Sequence, residues 1–156
     1  MNNQIKGVTG EVVPEGQILT YTLHSPARAT LVEWSNVVLE SLENWPKDKP
    51  YLAVHDISQP GIGMLFCSAV NNDIFQLAVL PETKARIDVL LGAHPDWTVA
   101  LALVVSGSLS GHLSKVLFAR AQTDAAYATK AFFHKDIALR WLTEHADSRQ
   151  PALARR

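Results

Sequence analysis

The chain has 156 residues, of which 47% are hydrophobic and 19% charged, and its formal net charge is -1. This is the length of one domain, and a chain of this size buries roughly 68–70% of its unfolded surface with no need of disulfides or metal. The composition excludes a wholly disordered chain and lacks the basic excess of a nucleic-acid binder, while the single cysteine, Cys67, excludes an intramolecular disulfide and a cysteine-based zinc site.

The opening MNNQIKGVTGEV has no basic segment followed by an apolar stretch, so no secretory signal is expected. The longest purely apolar run, Val99 to Val105, has seven residues, whereas a membrane helix needs about 20. No polybasic stretch offers itself to anionic lipid, and Arg155-Arg156 reads as a solvated tail. A soluble, cytoplasmic protein with no membrane insertion is the expectation.

Taken in chain order, residues 1–9 read as a loose tail, with the domain starting at about residue 10. Glu11 to Val13 reads as a partner strand, Pro14-Glu15-Gly16 as a turn, and Gln17 to Leu23 as a strand. In that strand Ile18, Thr20 and Thr22 face one way and Leu19, Tyr21 and Leu23 the other. Ser25-Pro26 predicts a helix start, with Ser25 as N-cap. Leu31, Trp34, Val38, Leu42 and Trp45 recur at spacings of three and four and predict its buried face, up to the stop at Pro46. Tyr51 to Ile57 reads as a central strand, broken by Ser58-Gln59-Pro60-Gly61.

Residues 62–80 are apolar and poorly periodic, and read as one bent helix or two short ones split at Asn71-Asn72-Asp73. Glu82 to Leu91 continues helically, with Ala85 and Val89 expected inward, Ile87 or Leu90 as further candidates, and Gly92 as the C-terminal cap. Trp97 to Val105 is apolar on both faces, as in the middle of a parallel sheet. Ser106-Gly107-Ser108 turns it into a helix over about 109–122. Tyr127 to Phe133 reads as the last strand, and Lys135 to Ala146 as the last helix, with Ile137, Ala138, Trp141 and Leu142 inward. Residues 147–156 read as a polar tail. The alternation predicts a single α/β domain over residues 10–146, with a four- to five-stranded, largely parallel sheet.

Three stretches of this layout resemble the STAS-type fold of anti-sigma-factor antagonists and related STAS-like domains. They are the early strand ending in Asp56-Ile57-Ser58, the apolar strand 97–105 with its polar turn and helix, and the closing strand-turn-helix with Ala138-x-x-Trp141-Leu142. The likeness spans roughly residues 10–145 and implies a non-catalytic binding or signalling domain that acts by protein–protein contact. It also implies a kinship to lipid-transfer domains of the CRAL-TRIO type. Phosphorylatable members carry Asp-Ser-Ser/Thr-Gly close behind the Asp-Leu-Ser strand. Here Cys67-Ser68-Ala69 lies too far along and lacks the glycine, so serine phosphorylation is not implied.

Ligands of an open parallel sheet sit outside the carboxyl ends of its strands. That edge is expected to hold His55-Asp56-Ile57-Ser58, Ser106-Gly107-Ser108 and His134. An imidazole, a carboxylate and hydroxyls make a hydrolytic set in which His55, Asp56 and Ser58 (or Ser68) are catalytic candidates. No Gly-x-Ser-x-Gly elbow accompanies them, and the plainer reading has Asp56 and Ser58 bonding turn backbone and His134 capping a helix. Ser106, Gly107 and Ser108 open a helix where backbone N–H groups hold anions, though Lys115 falls too late for a Walker A loop. The six histidines show neither one-turn nor His-x-His spacing, so no metal and no cofactor is expected. Cys67 reads as a buried thiol.

Trp45, Trp97 and the segment 62–80, with Phe66 as a ligand-binding candidate, suggest an apolar pocket, a lid or a subunit interface. The leading expectation is a non-enzymatic STAS-like domain with a protein partner or a second copy of itself. A small apolar-ligand or lipid carrier is the alternative, and a weak hydrolase at the strand edge is the second.

Overall fold

A computed structural model describes residues 7–13, 17–63, 81–108 and 127–149. Five strands of six residues each form one sheet: β1 (Val8–Val13), β2 (Ile18–Leu23), β3 (Tyr51–Asp56), β4 (Val99–Val104) and β5 (Tyr127–Phe132). They lie side by side in chain order. β1 and β2 pair antiparallel, and the other three pairings are parallel. The fold is therefore α/β with a mixed, mostly parallel sheet.

Among the described residues three helices cover it: α1 (Arg28–Asn44), α2 (Pro81–Ala93) and α3 (Lys135–Arg149). α1 lies in the β2-to-β3 connection and α2 in the β3-to-β4 connection. Both pack into the same core layer, with Tyr21, Leu23, Tyr51, Ala53, Leu101 and Leu103 of the sheet. Crossovers of one hand between strands added in one direction must fall on one face. α3 follows the last strand and bridges no pair, so it is free to cover the other face. There Ala138 and Leu142 meet Leu52, Val54, Ala100, Ala102, Val104 and Phe132. β4 is buried along its whole length because it is covered on both sides, which is why its sequence shows no alternation.

The stripe of α1 is as its spacing predicts: Leu31, Trp34, Val38 and Leu42 are all buried. The helix starts later than Ser25-Pro26, however. Ala27 is the N-cap and makes no side-chain cap bond, while the Ser25 hydroxyl accepts from the Ala27 amide at 3.3 Å. At its other end, Trp45 is extended, as the residue before Pro46 should be. The final carbonyls are held by Lys47, whose Nζ donates to Leu42 O (2.6 Å), Glu43 O (3.2 Å) and Trp45 O (2.6 Å). The same ammonium sits 4.5 Å from the Trp97 ring centroid. Burial pulls Lys47 below the usual lysine value, with Glu43 opposing.

Three other expectations are corrected. β1 begins at Val8, so the ordered fold reaches into the expected tail; the His24 amide donates to Gly7 O at 2.9 Å, extending the β1–β2 pairing. A Cβ on Gly7 would meet Thr30 Oγ1 at 2.7 Å, so the approach of this segment to α1 needs glycine. α2 turns Thr83 and Ile87 inward and leaves Ala85 and Val89 exposed, and Gly92 lies within the helix rather than capping it. α3 runs on to Arg149, past the expected stop at Ala146, and its Ile137 is 38% exposed. The expected helices over 62–80 and 109–122 lie almost wholly outside the described residues; of the first only Ile62 (buried) and Gly63 are described.

The orientation of α3 sets a pair of expected outcomes in urea unfolding. Leu142→Ala should lose about 2–5 kcal/mol, the range for emptying a closed core site. Ile137→Ala should lose less than about 1 kcal/mol, as expected of a largely surface position. Equal losses would mean that α3 is rotated on the sheet.

Candidate functional site

The strand alternation that builds the sheet also separates the two best chemical residues of β3. His55 points to the face covered by α1, and its neighbour Asp56 has the opposite parity. His55 is wholly buried. Trp34, on the buried stripe of α1, donates its indole N–H to His55 Nδ1 at 3.0 Å. The Tyr21 ring stacks on the imidazole at 5.3 Å between centroids, and the Trp34 ring meets it edge-on at 5.6 Å. An indole can only donate, so Nδ1 is an acceptor and the neutral ring carries its proton on Nε2. Burial pushes the imidazole down to about 3. Nε2 has no hydrogen-bond partner among the described residues.

Beside it lies a hydroxyl cluster. Ser41 Oγ donates to Val38 O at 2.9 Å. Its lone pairs then accept from Tyr21 OH at 2.6 Å and from Tyr51 OH at 2.7 Å. Burial raises the Tyr21 phenol, with Ser41 and Tyr51 opposing, and raises Tyr51 well above the usual tyrosine value, with Tyr21 adding to it. The whole network of Trp34, His55, Tyr21, Ser41 and Tyr51 is thus uncharged and joins α1 to the sheet.

At the carboxyl edge, the closing row of the parallel register is Thr22–Asp56–Val104–Phe132. Pairing continues one step, with Ile57 N donating to Val104 O and Val105 N to Phe132 O, both at 2.9 Å. Ser58, Ser106 and His134 therefore follow one another along that edge, as the sequence predicts. Asp56 Oδ1 accepts from the Ser58 amide (3.0 Å) and from the Ser58 hydroxyl (2.6 Å), a closed turn. Ser106 and Ser108 bond to each other through their hydroxyls at 2.5 Å. His134 is exposed, and its carbonyl accepts the Ala138 amide at the start of α3. Gly107 is exposed with nothing near its Cβ direction.

Of the hydrolytic set, then, Asp56 and Ser58 come together and His55 does not join them among the described residues. Its Nδ1, the atom a carboxylate would have to orient, already accepts from Trp34. Phe66, Cys67 and Ser68 lie outside the described residues, as does the helix that Ser106-Gly107-Ser108 was expected to open. Among the described residues no three His, Cys, Asp or Glu side chains gather as a metal site, and no helix is long and apolar enough to cross a membrane.

One surface feature goes beyond what the spacing of residues along the chain predicts. α1 and α2 flank a groove of about 410 Å³ lined by Glu43, Ala85, Arg86, Val89, Leu90 and Ala93. Arg86 bridges it, donating to both Glu43 carboxylate oxygens at 2.6 and 2.7 Å. Val89 is 73% exposed there. The signal lay in α2 itself, which has apolar residues on more than one face, so one set had to remain outside.

No family model, no curated protein and no solved structure matches the chain.

The buried imidazole makes stability depend on pH in a definite direction. His55 titrates near 6.5 when unfolded and near 3 when folded. Between those values the unfolded chain binds a proton that the folded chain refuses, so stability falls as pH falls through that window and is untouched by this group above it. At about 1.4 kcal/mol per pH unit, the loss from His55 should reach about 3 kcal/mol by about pH 4.5. His55→Asn keeps an acceptor for Trp34 and cannot titrate. Urea unfolding at pH 7.5 and 4.5 should show that much less acid destabilisation in the variant, and identical pH slopes would contradict the assignment.

Proposed function

We propose that the chain is a non-enzymatic, cytoplasmic STAS-like domain that acts through protein–protein contact, as a homodimer. The observation that carries this reading is the commitment of His55 to structure: it is buried, held neutral, and accepts from Trp34. A general base must reach a proton on the substrate, and this imidazole lies under α1. Asp56 and Ser58 are likewise bonded to each other, which supports a structural role for the Asp56-Ile57-Ser58 turn.

Two further features support the STAS-like part. The sheet is mostly parallel, with its strands in chain order. The closing Ala138-x-x-Trp141-Leu142 element buries Ala138 and Leu142 and sets Trp141 against Phe132 at 5.5 Å between centroids. The exposed α1–α2 groove supplies an apolar surface suited to contact with protein.

Native mass spectrometry of the purified chain and a fluorophosphonate probe test the reading together. The expected result is protein-only masses and no labelling of Ser58. A stoichiometric apolar ligand would replace this reading with the carrier. Labelling of Ser58 that His55→Asn abolishes would replace it with the hydrolase.

A further inference from the structure

We draw no further inference here: the strongest candidate, the groove between α1 and α2 around the exposed Val89, presents an apolar face, and nothing in the structure shows what covers it.

Discussion

The Trp34–His55 hydrogen bond is the contact on which the arrangement of α1 against the sheet depends. It closes one of the two polar ends of a fully buried imidazole, and it satisfies the only polar atom of a buried indole. Breaking it from either side would leave a buried group unpaired, which costs about 1–3 kcal/mol. The bond also fixes how far along the sheet α1 sits. With Trp34 over His55, Ser41 two turns later lies over Tyr21 and Tyr51 and gathers both phenols. A helix shifted by one turn would lose both sets at once. Neutrality follows from the same geometry, since the ring is wholly buried and the phenol that stacks on it, Tyr21, is itself raised by burial.

Much of the fold was legible because period and burial coincide. Alternation in Ile18 to Leu23 separates the two faces correctly, and the unbroken apolar run of β4 marks the strand covered on both sides. The α1 stripe was readable because Leu31, Trp34, Val38 and Leu42 stand out against a polar remainder. α2 was not, because Ala85, Ile87, Val89, Leu90 and Leu91 surround it with apolar residues, and tertiary packing decides that Ile87 goes in. The cap formed by Lys47 was hidden for another reason. It depends on the chain doubling back after Pro46, which spacing along a helix does not encode.

The candidate site was half legible. Parallel register does bring Ser58, Ser106 and His134 to one edge, as strand assignment alone predicts. Adjacent letters in a strand, however, face opposite ways. His55-Asp56 reads as a catalytic pair in sequence and is split by the sheet, one residue going to the core and the other to a turn with Ser58. The near-zero net charge, first a reason to set nucleic acid aside, becomes relevant again at the groove, where an exposed Val89 is available for contact with little electrostatic opposition.

His55 acts as a neutral, structural acceptor and not as a base awaiting a substrate. Long-range proton–nitrogen correlation NMR of the histidine rings reads this directly. Across roughly pH 5 to 8, where an ordinary histidine changes charge, the His55 ring should keep a proton on Nε2 and none on Nδ1, with constant shifts. A ring that titrates near 6.5, or that carries its proton on Nδ1, would contradict the account.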